Sequence, residues 1–196
     1  MTTPVNRPTG RDEVVEAILD AADRLFSAHG PADVSLRGIA REANVNHGLV
    51  HRHFGTRDDL IDRLLERMAT DWSAEVEATG DYTAALDRIM STPTDAEGSA
   101  GTWLRLLALS LLTDSPTRSA ETQRRYGTAL DALPRLAESE GHDSKDAAIT
   151  TAAALALVYG WRLFHPYLRA VLHLDDEPFD QVHEAVRAKL RILLEP

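Results

Sequence analysis

The chain has 196 residues, 43 % of them hydrophobic and 27 % charged, a balance typical of a globular protein with one or two compact units. It contains no cysteine, which excludes disulfides, thiolate metal sites and cysteine nucleophiles. Residues 1–13 lack the apolar core of a secretory signal, and the longest uncharged apolar run, 152–161, is too short to span a bilayer. We therefore expect a cytoplasmic protein that does not enter a membrane.

The formal net charge of −10 by itself disfavours a polyanionic partner, but the charge is unevenly distributed. Residues 1–57 contain seven Lys and Arg and seven Asp and Glu, so the whole negative excess lies in 58–196. A neutral N-terminal part on an acidic body would approach DNA with the N-terminal part first.

Residues 1–10 are polar, contain two prolines and are predicted to form a flexible arm. Arg7 and Arg11 could contact phosphates or a minor groove, as N-terminal arms do, and a solvated tail is the alternative. A helix is predicted from about Asp12 to His29, and Gly30-Pro31 ends it. Its apolar stripe consists of Val15, Ile18, Leu19, Ala22, Leu25 and Phe26.

The segment 35–54 predicts two short helices joined by a tight turn. Ser35 is a good N-cap for the first helix, and Asn46 can cap the second. Asn44 stands at the turn, where the left-handed backbone region is needed and Asn tolerates it. This is the layout of a DNA-binding helix-turn-helix, whose second helix enters the major groove. The facing apolar residues are Leu36, Ile39, Ala40, Ala43, Val45, Val50 and Phe54.

Residues 12–65 resemble the N-terminal domain of the tetracycline-repressor (TetR) family of bacterial transcriptional regulators. The resemblance implies that the first helix braces the helix-turn-helix and that Phe54 packs into the core of a small domain. The family usually has Gly in the turn, Ser as the cap of the recognition helix and a phosphate-contacting Tyr. This chain has Asn44, Asn46 and His51 at those positions. The matching segments are 18–30, 34–55 and 56–61.

The residues predicted to contact DNA fall into two groups. Arg37, Thr56 and Arg57 stand at helix starts, where free backbone N–H groups favour anions, and ordinary surface polarity is the alternative. The recognition helix is expected to read base edges, with Gly48 allowing close approach and Leu49 meeting a thymine methyl. The complete predicted set is Ser35, Arg37, Asn46, His47, Gly48, Leu49, His51, Arg52, Thr56 and Arg57.

His47 and His51 are four residues apart, which is also a metal-ligand spacing. The Glu of an H-E-x-x-H site is missing because residue 48 is Gly, and no third ligand stands nearby. Partly protonated histidines beside phosphate are the favoured interpretation, and His53 is expected to pack in the small core. We predict no metal and no cofactor.

The rest of the chain predicts only helices. A helix begins after Gly55 with Thr56 and Asp59 as a capping box, and its apolar stripe continues to Val76, long enough to be shared by two domains. Pro134 predicts a kink or restart, and Ser144 is the expected cap of the following long helix. Pro166 is expected to interrupt that helix, which can resume through Leu172. The further predicted helices are 82–90, 102–112, 116–140, 144–164 and 178–194.

The predicted fold is therefore all-α, with a small three-helix helix-turn-helix N-terminal domain joined by a shared helix to a larger C-terminal helical bundle. We assign 1–10 to the arm, 11–55 to the DNA-binding domain and 56–196 to a helical ligand-binding and dimerisation domain. The run 152–161 is apolar on every side, so one side needs a partner. A homodimer through the helices near 144–164 and 178–194 would supply it; a monomer with a buried central helix is the alternative.

Aromatic and polar residues on the C-terminal helices suggest a small-molecule site. Plain core packing is the alternative, except that a cation in an apolar run, such as Arg162, needs a partner or a ligand anion. The candidate lining is Trp103, Leu107, Tyr126, Leu130, Trp161, Arg162, Phe164, His165 and Tyr167.

These features predict a homodimeric, sequence-specific DNA-binding regulator. We expect it to repress from a palindromic operator on double-stranded DNA and to be released by a small apolar or amphipathic ligand. An enzyme is disfavoured because the chain has no G-x-S-x-G, no phosphate loop and no E-x-x-H. The alternatives are an all-α ligand carrier and a protein-interaction module with a purely structural helix-turn-helix.

Overall fold

The computed structural model describes residues 8, 10–91, 99–113, 130, 132–141 and 143–194, and in these residues the secondary structure is entirely helical. The predicted all-α class is thus confirmed. A short 3-10 turn, Pro31–Asp33, connects the first two helices. The helices are α1 Arg11–His29, α2 Leu36–Glu42, α3 His47–Phe54, α4 Arg57–Glu77, α5 Tyr82–Ser91, α6 Ser99–Thr113, α7 Ala132–Ser139, α8 Ser144–Val171 and α9 Phe179–Leu194.

The chain divides into two compact units. The N-terminal unit comprises the described residues of Met1–Ala69 and Asp95–Tyr126, and the C-terminal unit those of Thr70–Thr94 and Gly127–Pro196. Helix α4 contributes residues to both units, and α6 belongs to the N-terminal unit. The functional boundaries predicted at residues 10 and 55 stay predictions.

The core of the N-terminal unit is built from the apolar stripes of its helices. Ile18 and Phe26 of α1, Ile39 of α2, Val50 of α3 and Leu64 of α4 are completely buried in one cluster. Helix α6 adds Leu106 to the same cluster. The hydroxyls of Ser27 on α1 and buried Thr102 on α6 lie 2.5 Å apart. Helix α6 is therefore a structural part of the helix-turn-helix unit.

The C-terminal unit packs α5, α7 and α8 around a second cluster that includes Ile89, Leu133 and Val158. One buried polar network crosses it. The Tyr82 hydroxyl lies 2.6 Å from the hydroxyl of Thr151 and donates to the carbonyl oxygen of Ala147 at 3.2 Å. These bonds join α5 to α8 over a long sequence separation.

Two predictions about α8 are wrong. Its cap is Asp143, whose Oδ1 accepts from the N–H groups of Lys145 and Asp146 at 3.1 Å, whereas Ser144 is the first helical residue. Pro166 lies inside the helix and does not end it. Proline deprives one carbonyl of its helical partner at a cost of roughly 3 kcal/mol, which packing on both sides of the residue can offset.

The predicted helix 116–140 is described only in its last part. Helix α7 begins at Ala132, with Pro134 in its first turn, where a proline removes no helical hydrogen bond. Residues 114–129, including Tyr126 of the predicted lining, lie outside the described residues.

Candidate nucleic-acid interface

Three polar residues cap the two helices of the helix-turn-helix and form the turn between them, each in the role expected from the sequence. The Ser35 hydroxyl accepts the N–H of Gly38 at 3.1 Å and caps α2. Asn44 takes the left-handed conformation in the turn, with φ 53°. The Asn46 side-chain oxygen accepts the N–H of Gly48 at 2.8 Å and caps α3. Because these contacts span only two or three residues, the local sequence predicts where each helix begins and where the chain turns.

Helix α3 has one buried face and one exposed face. Val50 is fully buried, and Leu49 and Phe54 are partly buried against the core cluster, as the family resemblance implied for Phe54. Asn46, Gly48, His51 and Arg52 are exposed, and His47 is half-buried. A Cβ at Gly48 would lie 3.3 Å from the Asn46 side-chain oxygen, so glycine also leaves room for the cap. The exposed face is polar and carries the positive charge of Arg52.

The imidazole of His51 is fixed by the end of its own helix. Its Nδ1 lies 2.9 Å from the carbonyl oxygen of Gly55, the residue that ends α3 with φ 77°. The ring of His47 meets the His51 ring edge-on, with centroids 4.6 Å apart. The two histidines therefore form a pair on one side of the helix.

The residues predicted to bind phosphates differ in what their side chains contact. Arg37 is exposed at the start of α2. Thr56 and Asp59 form the predicted capping box, with the Thr56 N–H donating to Asp59 at 2.9 Å and the Asp59 N–H donating to Thr56 at 3.1 Å. Arg57 is half-buried and donates to the carbonyl oxygens of Pro31 and of Val34, the latter at 3.4 Å. Its guanidinium carbon lies 5.7 Å from the centroid of the Phe26 ring.

Two adjoining open grooves lie where α1, α3 and α4 begin or end. One, of about 450 Å³, is lined by Arg11, Leu49, Arg52 and His53 among others. The second, of about 460 Å³, is lined by Arg11 and His53 again, together with Arg63 and two carboxylates. Sequence reasoning missed Arg63, because its proximity to α1 follows from packing.

Ion pairs join α1 to α4 and to α2. Glu16 and Asp20 both accept from Arg67 of α4, at 3.1 and 2.8 Å. Arg24 donates to Glu42 of α2 at 3.2 Å. Such exposed pairs stabilise the fold by less than about 1 kcal/mol each. Their main effect is to compensate negative charge within the N-terminal unit.

Comparison with known proteins identifies the chain's family. Residues 18–64 match the family model described as bacterial regulatory proteins, tetR family. The HTH-type transcriptional repressor Rv3405c of Mycobacterium tuberculosis is 37 % identical over 189 residues, which cover 96 % of this chain and 93 % of that protein. The chain belongs to the TetR family. It is thus related to transcriptional regulators over nearly its whole length.

Solved structures show the same architecture as this TetR-family chain. A TetR transcription regulator from Haloarcula marismortui aligns with a TM-score of 0.62 at 20 % identity, covering 92 % of this chain and 98 % of that one. The SmeT–triclosan complex aligns with a TM-score of 0.58 at 21 % identity, covering 79 % and 82 %. These likenesses confirm the predicted fold of a helix-turn-helix domain followed by a helical domain.

The residues of the predicted effector site are distributed over both units of this TetR-family protein. Trp103 and Leu107 pack against the core cluster of the N-terminal unit, and Leu130 packs against that of the C-terminal unit. Phe164 and Tyr167 are 57 % and 65 % exposed. Nothing in this arrangement tests the effector site, which stays a prediction.

Three of the predicted lining residues are brought together on α8 in the C-terminal unit. The Trp161 indole N–H donates to Nδ1 of His183 on α9 at 3.0 Å, and the Trp161 and His165 rings lie 5.8 Å apart. Arg162 donates to the carbonyl oxygen of Ile89 at 2.9 Å. Burial lowers the pKa of Arg162 and raises the pKa of neighbouring Tyr159 to about 12.

An aromatic group on α9 completes this cluster and was not found from the sequence. Phe179 stacks on His183, with centroids 5.5 Å apart, and lies 5.0 Å from the His165 ring. Burial, followed by the charges of Arg169 and of His183, lowers the pKa of His165. Burial, followed by the charges of Arg187 and Arg162, lowers the pKa of His183 despite two nearby carboxylates. Both imidazoles therefore favour the neutral form.

Helix α8 carries a row of exposed apolar side chains. Ile149, Leu157, Phe164 and Val171 are all exposed and follow one another at intervals of seven or eight residues, which places them on one face. Tyr167, between Phe164 and Val171, is exposed on the same face. By length and composition alone, α8 is also apolar enough to cross a membrane.

Proposed function

We propose that this protein is a homodimeric repressor that binds a palindromic DNA operator and is released by a small apolar or amphipathic molecule. The observation that carries the proposal is the polar, positively charged exposed face of α3, held by a buried opposite face. Its relative Rv3405c is named a transcriptional repressor, which supports repression over activation. Family membership likewise supports a regulator in the cytoplasm over an enzyme or a carrier.

DNA would be bound by two kinds of contact. Asn46, His47 and Gly48 at the start of α3 are placed to meet base edges, since the N-terminal residues of a recognition helix lie deepest in the major groove. Arg37, His51 and Arg52 are exposed around them and suit phosphates. Ser35, Leu49, Thr56 and Arg57 contribute by holding this surface through the caps, packing and hydrogen bonds described above.

A second copy of the chain is the proposed partner of the exposed face of α8. The row from Ile149 to Val171 extends roughly 33 Å at 1.5 Å per residue, a length suited to helix-on-helix packing. Exposed apolar area of this extent is unusual on a monomer. Helix α9 packs beside α8 and exposes Ile192, so α8 and α9 of two protomers could form a four-helix interface.

The proposed effector acts through α4 and α6. Both helices contribute to the core of the N-terminal unit but are not part of the helix-turn-helix. Helix α4 is one helix with residues in both units, and α6 places Thr102 and Leu106 in the core below α1. A shift of either helix would change the separation of the two recognition helices from the roughly 34–36 Å that successive major grooves require. The complex of SmeT with triclosan supports a small-molecule site in this fold. The residues proposed to line it are those predicted from the sequence.

Selection of bound sequences from a random duplex pool tests the proposal. We expect a palindrome whose half-sites are separated by about one helical turn or a multiple of it. His47→Ala should change the base preferred at one step of each half-site, whereas Arg37→Ala should weaken all sequences alike. A pool without enrichment, or an enriched site without two-fold symmetry, would contradict the proposal.

A further inference from the structure

His51 is held to the end of its own helix by one ring nitrogen. Nδ1 lies 2.9 Å from the carbonyl oxygen of Gly55, and the N–H of Gly55 in turn donates to the carbonyl oxygen of His51. A carbonyl oxygen can only accept a hydrogen bond, so Nδ1 must carry a hydrogen. A neutral imidazole has a single ring hydrogen. In neutral His51, therefore, Nε2 presents a lone pair.

This arrangement limits what His51 can offer to DNA. A lone pair at Nε2 is repelled by a phosphate oxygen, whereas a protonated Nε2 supplies both an N–H donor and a positive charge. We propose that His51 binds a DNA phosphate only as an imidazolium, an inference that rests on the proposed function. Each recognition helix then takes up one proton when it binds DNA. Repression is then strengthened by acidification.

Among the described residues, the acidic groups near His51 already have other partners. A DNA phosphate is therefore the expected partner of its imidazolium. On α4, Asp59 lies close to Gly55, since its Oδ2 would be 3.1 Å from a Cβ there, but that oxygen already accepts from the Thr56 N–H and hydroxyl at 2.9 and 2.6 Å. On α2, which packs against α3, Glu42 is paired with Arg24. The ion pairs found among the described residues do not include His51.

The remaining neighbours are cationic or titratable. Arg37 and Arg41 are exposed on α2, Arg52 is exposed on α3, and Arg11 of α1 lines the groove beside Arg52. His47 lies edge-on to His51 at 4.6 Å, so protonation of both rings is opposed by like-charge repulsion. One proton per recognition helix is thus expected. The nearby arginines oppose its uptake in the free protein, and the negative charge of the phosphate favours it in the complex.

The sign of the pH dependence follows from linkage. Because the DNA-bound state holds more protons than the free state, affinity rises as pH falls through the range where imidazoles titrate, about 6 to 7. We expect about a tenfold gain in affinity per recognition helix between pH 8 and pH 6. The slope of log K against log salt should be steeper at pH 6 by about 0.9 per recognition helix, because one more phosphate is neutralised.

Operator binding by the full chain, measured by fluorescence anisotropy from pH 5.5 to 8.5 at fixed salt, tests the inference. His51→Gln, whose amide N–H does not titrate, should bind with a much smaller pH slope, whereas the matched His47→Gln variant should keep the wild-type slope. Equal pH slopes for wild type and His51→Gln, or affinity that rises with pH, would overturn it. If no variant binds the operator at any pH, the proposed function itself fails.

A second measurement reads the tautomer of His51 directly in the wild-type protein. Long-range ¹H–¹⁵N correlation spectra of the free wild-type protein at pH 8 should show the Nδ1–H tautomer for His51, assigned by comparison with His51→Gln. An Nε2–H tautomer would overturn the inference, because neutral His51 could then donate to a phosphate.

Discussion

The guanidinium group of Arg57 makes its contacts inside the N-terminal unit. Its guanidinium donates to the carbonyl oxygens of Pro31 and Val34 and lies over the Phe26 ring. These contacts fasten the first residue of α4 to the segment that leads into α2, and through it to the Ser35 cap. At the scale of a single residue, Arg57 can therefore set the position of the proposed DNA-binding surface through contacts inside its own unit.

Salt titrations of operator binding distinguish these two roles of a cation. Arg57→Ala should weaken operator binding and lower the free energy of unfolding by about 1–3 kcal/mol, because two carbonyl groups lose a charged donor. The slope of log K against log salt should not change. Arg37→Ala, the matched control, should reduce that slope by about 0.9 per recognition helix. A reduced slope for Arg57→Ala would show that Arg57 binds a phosphate directly.

The hydrogen bond between Trp161 of α8 and His183 of α9 fixes the protonation state of one histidine nitrogen. An indole N–H can only donate, so Nδ1 of His183 must be unprotonated to accept from Trp161 at 3.0 Å. Protonation of that nitrogen would break the bond between α8 and α9. The lowered pKa of His183, caused first by burial and then by Arg187, agrees with this geometry.

Acid should therefore destabilise the contact between α8 and α9. Because the folded-state pKa values of His165 and His183 lie below their usual value of 6.5, the unfolded chain binds more protons as pH falls below 6.5. The free energy of unfolding should be fully retained above that pH and decrease below it. Urea unfolding followed between pH 7.5 and 5 should show this loss, and His183→Gln should show a smaller one. An unchanged pH dependence in His183→Gln would contradict the assignment.

The buried bond between α5 and α8 offers a second test at the scale of helices. Tyr82→Phe should lower the free energy of unfolding by about 1–3 kcal/mol, because the Thr151 hydroxyl, 2.6 Å from that of Tyr82, loses its partner in a buried site. Adding Thr151→Val should recover part of the loss, since both polar groups are then removed. Additive losses in the double-mutant cycle would mean that the two hydroxyls are not coupled.

At the scale of the whole molecule, the acidic and apolar surfaces have separate tasks. The excess negative charge of 58–196 leaves the N-terminal part as the region that can approach DNA. The exposed row on α8, in contrast, has few charges to oppose association of two copies. Charge thus favours the N-terminal part as the end that meets DNA, and apolar area favours the exposed row of α8 as the surface of the proposed dimer.

A charge placed in the apolar row should separate the protomers. Phe164→Glu should convert a dimer into a monomer and weaken operator binding severely, because a buried unpaired carboxylate is costly. Leu112→Glu is the matched control, since Leu112 is 86 % exposed on α6 and should tolerate charge. Sedimentation equilibrium measures the mass, and flotation with lipid vesicles checks the other surface that could cover α8. A monomeric wild type, or its capture by vesicles, would contradict the dimer.

Sequence alone determined the features that depend on near neighbours. The caps Ser35 and Asn46, the Thr56–Asp59 box and the turn at Asn44 each involve residues no more than three positions apart, and the apolar stripes have a helical period. Even here the prediction of Ser144 as the cap of α8 is wrong, because the preceding residue, Asp143, is an equally good capping residue and is the cap. The all-α class and the helix-turn-helix followed from these short-range rules.

Only the tertiary structure decided which residues distant in sequence contact one another. The bond of Arg57 to Pro31, the contact of Ser27 with Thr102 and the indole bond of Trp161 to His183 join residues 26, 75 and 22 positions apart. The continuation of α8 through Pro166 likewise depends on neighbours that a local rule does not contain. Hydrogen-bond partners distant in sequence become neighbours only when the apolar stripes have packed, so a charge that looks free in the sequence can prove to be part of the scaffold.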